Sequence, residues 1–157
     1  MKTSTKTRPT RDRRPLARIK SILVPLDFSP PSRRALIEAA ALAEQLNARL
    51  TLMHAIEPVA TLDVAAMSWE DDKRRDTAAA TIERLLKTTH IPKRLVETTV
   101  VRFGRSFHAI ADVARTRKVD LIVISTHGYT GVKRAVLGST TERVVRHATC
   151  PVLVLRR

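Results

Sequence analysis

The chain has 157 residues, 43% hydrophobic but only 3% aromatic, and the length suits one domain with a single substantial core. With so few rings, Val, Ile, Leu and Ala must build that core, which is the composition of an α/β protein. The lone Cys150 excludes an internal disulfide and any cysteine-rich zinc site and fits a reduced, cytoplasmic setting, and no apolar run approaches the ~18 residues of a membrane span.

The formal charge of +14 is uneven, because residues 1–18, "MKTSTKTRPTRDRRPLAR", set seven Lys and Arg against Asp12 alone. This segment has no apolar periodicity and contains Pro9 and Pro15, so it reads as a disordered, solvated tail preceding a domain over 19–157. A phosphate-contacting arm or a targeting segment is the alternative. Nucleic-acid binding is expected only through this tail.

From Ile19, "IKSILVPLDF" is a short unbroken apolar run, as a strand buried on both faces of a parallel sheet should be; it is β1. Ser29 before Pro30 is an N-cap followed by proline in the first turn, and Ala35, Leu36, Ala39, Ala40, Ala43 and Leu46 recur at helical spacing through α1, which ends near Asn47. Residues 49–56, "RLTLMHAI", form β2, with Leu50, Leu52 and His54 on one face and Thr51, Met53 and Ala55 on the other. A loop over 57–68 is long enough to be functional or mobile. Residues 70–88 form α2, its opening acids, within "WEDD", placed in the first turn to suit the helix dipole. Residues 94–101, "RLVETTVV", have the half-solvated look of an edge strand, β3. Gly104 then leads into α3, whose stripe is Ile110, Val113 and Ala114. After Asp120, "LIVIS" (121–125) is a central strand, β4; α4 runs from about Ser139 to His147; and "PVLVL" (151–155) is β5.

Alternating strands and helices predict an open five-stranded parallel sheet with helices on both faces, a Rossmann-like α/β fold. Burying β1 and β4 and leaving β3 outside gives the strand order 3-2-1-4-5. The carboxyl ends of β1 and β4 then flank the topological switch point, where open α/β sheets leave a crevice for ligands. Asp27 leaves β1 there, as the only acid expected near the crevice.

Three of the four glycines, Gly128, Gly131 and Gly138, follow β4 in "HGYTGVKRAVLGST". Gly138-Ser139-Thr140 would open α4, offering unpaired N–H groups, hydroxyls and a positive dipole end to an anion, phosphate above all. Read alone, Gly138 making a turn and Ser139 capping α4 is as good an account; the meeting with Asp27 at the switch point favours a site. The spacing is neither a P-loop nor GxGxxG. His127 is more often a loop-ordering residue than a general base in such a place, and Lys133 and Arg134 face either phosphate or solvent.

The segments "ILVPLD", "ADVARTRKVDLIVIS", "STHGYTGVKRAVLGST" and "ERVVRHATCPVLVLR", in this order over Ile19 to Leu155, resemble the universal stress protein family. The family has an ATP-binding branch with the signature GxxGx9G followed by Ser or Thr, and an adenine nucleotide alpha hydrolase-like fold. The resemblance implies that Asp27 reads the adenosine end and that the Ala55 backbone contacts adenine, with Pro25 and Ile124 lining the base and ribose pocket. It further implies that Gly128, Gly138, Ser139 and Thr140 hold the phosphates, with Thr141 and His127 close by. Ser125 stands where the signature has its first glycine. If that position needs φ > 0 or a bare Cα, serine weakens binding; otherwise its hydroxyl adds a contact.

The implied function is an ATP-binding stress sensor or binding module, with Mg or Mn arriving on the phosphates rather than in a cage. It would pair as a homodimer through the apolar edge strand 151–155. The alternatives are a weak ATPase or phosphoryl-transfer enzyme using His127 or Ser139, or a stress protein that binds no nucleotide.

Overall fold

The computed structural model describes residues 19–58, 64–126 and 137–156, of which 64–69 are described in backbone alone. The basic tail and the segment carrying His127, Gly128, Gly131, Lys133 and Arg134 therefore lie outside the described residues. The elements are β1 Ser21–Pro25, α1 Pro30–Leu46, β2 Arg49–Ile56, α2 Val64–Thr88, β3 Val96–Phe103, α3 Ser106–Thr116, β4 Leu121–Ser125, α4 Ser139–His147 and β5 Val152–Leu155. All strands pair in parallel, in the order β3-β2-β1-β4-β5. This is the expected α/β topology.

Successive strand residues point to opposite faces, and so the sheet divides the core in two. Ile22, Val24, Leu50, Leu52 and Val123 face α1 and α2 and pack with Leu36, Ala39, Ala43, Ile82 and Leu86. Leu23, Met53, Ile122 and Ile124 face α3 and α4 and pack with Ile110, Val113 and Val144. Fully buried Leu36 and Ile82 each gain about 1.5–3 kcal/mol relative to exposure. Half-buried Cys150 packs against the second cluster; burial first, and the charge of Asp120 second, push its thiol up, so it acts as apolar filler.

At the amino end of the sheet, Asp120 Oδ2 accepts the N–H groups of Lys20 and Ser21 at 2.9 and 3.1 Å, tying the entry of β1 to that of β4. Asn47 ends α1 in the left-handed region at φ 51°, which asparagine tolerates, and the N–H of Ala48 closes the turn on Ala43 O at 2.8 Å.

Two boundaries differ from expectation. Helix α2 starts at Val64 rather than at residue 70, so the 57–68 loop is shorter and Glu70, Asp71 and Asp72 are not first-turn acids. The alanine-bearing "VAAM" suits a helix, and Asp63 immediately before it is of a type that caps helices, so the earlier start has a local signal of its own. Instead of serving the dipole, Asp71 and Asp72 pair with Arg74 and Arg75 at 3.6 and 3.1 Å. Strand β3 is shifted to Val96–Phe103, because Lys93–Leu95 form a 3₁₀ turn after Pro92 and the ladder with β2 continues until Ile56 meets Phe103.

Candidate functional site

Strands β1, β2 and β4 end at one cavity of about 380 Å³, within the range of small-molecule sites. Beyond β1 the chain stays beside β2, with Leu26 N–H donating to Met53 O at 2.7 Å. Phe28 then adopts φ 66°, a left-handed conformation that costs about 1–3 kcal/mol in a non-glycine residue. That turn brings Ser29 back onto its neighbour: the Ser29 N–H and Oγ–H both donate to Asp27 Oδ1, at 3.0 and 2.6 Å. The same Ser29 Oγ accepts the N–H of Ser32 at 3.3 Å and caps α1. Asp27 is thus held in the cavity wall through one carboxylate oxygen. His54 supports the turn from β2, its Nδ1 lying 2.7 Å from Leu26 O and its ring stacked on Phe28 with centroids 4.3 Å apart.

On the other side of the cavity, buried Ser125 ends β4, and its carbonyl accepts the Thr141 hydroxyl at 2.8 Å. Gly138 N–H donates to Thr126 O at 2.8 Å, which brings the start of α4 back to the end of β4. Gly138 is the N-cap and supplies no side-chain cap, so the first N–H groups of α4 lack the partner that Ser29 gives α1. Its φ is −59°, which any residue can adopt; of the two described glycines, the one whose turn demands special backbone is Gly104, at φ 134° between β3 and α3.

The cavity therefore gathers Pro25, Asp27 and Ala55 from the ends of β1 and β2, and Ile124, Ser125, Gly138, Ser139, Thr140 and Thr141 from β4 and α4. Thr141 is buried with its hydroxyl donated to Ser125, so it sets the position of the α4 turn, whereas Ser139 is exposed and Thr140 half-buried. His127 and Gly128, which the sequence places in the same site, lie outside the described residues.

Asp27 is not the only acid of the crevice: Glu57 lines the cavity as well. Its Oε1 accepts Ser106 N–H at 3.2 Å and Ser106 Oγ–H at 2.9 Å, so a carboxylate sits on the N-terminus of α3. The Ser106 hydroxyl and N–H, aided by the Arg105 charge, hold the Glu57 carboxyl below the ordinary glutamate range. Arg74 fixes the backbone there, donating to Glu57 O at 2.9 Å. The available signal was positional: Glu57 follows β2 and Ser106 opens α3, both at the carboxyl edge that α/β sheets use for ligands. Among the described residues, no three His, Cys, Asp or Glu gather around a metal position.

Comparison with known proteins agrees with this architecture. The universal stress protein family model matches residues 18–156. A universal stress protein of Thermus aquaticus is 36% identical over 138 residues, covering 87% of this chain and 98% of that one. The structure of UspA from Lactobacillus plantarum superposes with a TM-score of 0.76 at 30% identity, covering 88% of this chain and 99% of its own. A universal stress protein solved in complex with cAMP shares the fold, with a TM-score of 0.62 at 24% identity and coverage of 87% and 96%. With the matched segment running through all five strands and four helices, the chain belongs to the universal stress protein family.

Proposed function

We propose that this protein binds ATP in the cavity at the carboxyl ends of β1, β2 and β4, and acts as a nucleotide-dependent sensor or binding module of the stress response. One observation carries the reading: the anchored carboxylate of Asp27 and the uncapped N-terminus of α4 at Gly138-Ser139-Thr140 line the same cavity. The first accepts from the hydroxyls and exocyclic amino group of a nucleoside, and the second suits phosphate oxygens. Ser125 continues the strand ladder opposite Leu155 and is not among the residues with positive φ, so the backbone at this position does not require glycine. A Mg or Mn ion arriving on the phosphates needs at most one protein carboxylate, and Asp27 and Glu57 stand in the wall.

In this reading two copies pair through β5. Strand β5 is an edge strand with 39% exposed Leu153, beside α4 with 47% exposed Val145, and such an edge favours pairing with its own copy. ATP occupancy would then shift the population of surfaces that the dimer presents in the cytoplasm. Among the described residues, no helix is long and apolar enough to cross a membrane.

Calorimetric titration of ATP into the wild type and Gly138→Val tests the site. Because φ at Gly138 is negative, valine fits the backbone and acts on the cavity rather than on the fold. The expected result is binding to the wild type and at least about 10-fold weaker binding to the variant. No binding to the wild type at millimolar ATP would place the chain in the non-binding branch.

A further inference from the structure

Beside the cavity, and sharing Ser106, Ser139 and Thr140 with it, lies a second depression of about 240 Å³ to which Arg105, Phe107 and Arg143 contribute. It forms where α3 and α4 begin side by side: Arg105 is the residue before α3, and Arg143 is one turn into α4. The guanidinium carbon of Arg143 lies 5.0 Å from the centroid of the Phe107 ring, and that ring also meets His108 at 3.9 Å and His147 at 6.1 Å. Packing on an aromatic face orients a guanidinium while leaving its N–H edge available to an acceptor.

Among the described residues, Arg74, Arg75, Arg94, Arg115 and Arg146 are each engaged by a carboxylate, whereas Arg34, Arg49, Arg84, Arg102 and Arg117 are not, so what sets Arg105 and Arg143 apart is that they line one depression together. Arg105 and Arg143 form no such ion pair among the described residues. The one acid of the depression, Glu57, is directed onto Ser106 and so closes the N-terminus of α3. What remains for a ligand is a pair of guanidinium groups facing the hydroxyl-bearing first turn of α4. That pairing suits an anion with several oxygens, since each guanidinium presents a planar fork of donors.

We propose that this depression takes the outer phosphates of a nucleotide whose inner phosphate lies at Gly138-Ser139, so that Arg105 and Arg143 select nucleoside di- and triphosphates over the monophosphate. The proposal rests on the reading of the main cavity as a nucleotide site. Titration of AMP, ADP and ATP, with chelator present, into the full chain and into an Arg105→Gln/Arg143→Gln variant tests it. Affinity for ATP should fall about 10-fold in the double variant while AMP affinity stays within about twofold, and an Arg143→Lys variant should retain part of the preference. The salt dependence of ATP binding should flatten in the same variant.

Unchanged ATP-to-AMP selectivity in the double variant overturns the proposal and leaves the nucleotide site standing. Equal loss of AMP and ATP affinity also overturns it, because the arginines would then support the fold of the cavity rather than the outer phosphates. A wild type that binds none of the three nucleotides overturns both readings together.

Discussion

The N-termini of α1 and α4 both point at the crevice, yet one is closed and the other open. Helix α1 is capped by its own chain: Ser29 accepts the Ser32 N–H, and its hydroxyl is in turn donated to Asp27. Helix α4 begins at Gly138, which has no side chain to offer. The two ends carry the same partial positive charge, and the difference lies in whether the protein supplies the acceptor. Where it does, a helix end is structural. Where it does not, the end is available to a ligand, and α3 falls on the closed side because Glu57 reaches across from β2.

The strongest way to break this contrast is to close α4 as α1 is closed. Gly138→Asp places a carboxylate acceptor at an N-cap whose backbone already has suitable angles. Calorimetry should show ATP affinity falling by about 100-fold or more, since the new carboxylate takes the N–H groups and repels phosphate. Chemical denaturation should show stability equal to the wild type or a few tenths of a kcal/mol higher. A variant that binds ATP normally would mean that the α4 terminus is not where phosphate lies.

Opening α1 is the reverse experiment. Ser29→Ala removes the cap and one of the two bonds holding Asp27 Oδ1. The expected cost is about 1–2 kcal/mol, read as a fall in Tm of roughly 3–6 °C, with a smaller effect on ATP affinity than that of Gly138→Asp. Unchanged Tm would show that the Ser29 bonds do not stabilise the turn.

The smallest effect is expected at α3. Because the Ser106 bonds hold the Glu57 carboxyl below the ordinary glutamate range, its contribution is present above that range and is lost as pH falls through the lowered value. Glu57 is exposed, so solvent limits that contribution to under about 1 kcal/mol. Urea denaturation should find Glu57→Gln slightly less stable than the wild type near neutrality, and the gap should close as the pH falls well below the ordinary glutamate range. A gap that persists in acid would show that the effect is not the charge of Glu57.

Much of this was legible in the sequence because it depends on local pattern. The continuous apolar runs at 22–24 and 121–124 identify strands covered on both faces, and Ser29-Pro30 marks the start of α1 through capping chemistry that involves neighbours only. Together with the alternation of elements, those signals determine the strand order and hence place Asp27 and Gly138 at one edge. The start of α2 was less legible because the sequence offers two starts, Asp63 before "VAAM" and the acids of "WEDD", and local pattern does not choose between them.

What only the tertiary structure decided were contacts between residues far apart in the chain. Glu57 and Ser106 are 49 positions apart, and Arg105 and Arg143 share a depression only because α3 and α4 pack side by side on one face of the sheet. Sequence periodicity reports which face of an element is buried, whereas the partner of an exposed carboxylate or guanidinium depends on how whole elements are juxtaposed. The sequence by itself determined the family and the topology; the structure decided which of the neighbouring helix ends the protein closes for itself, and that α4 has no side-chain cap.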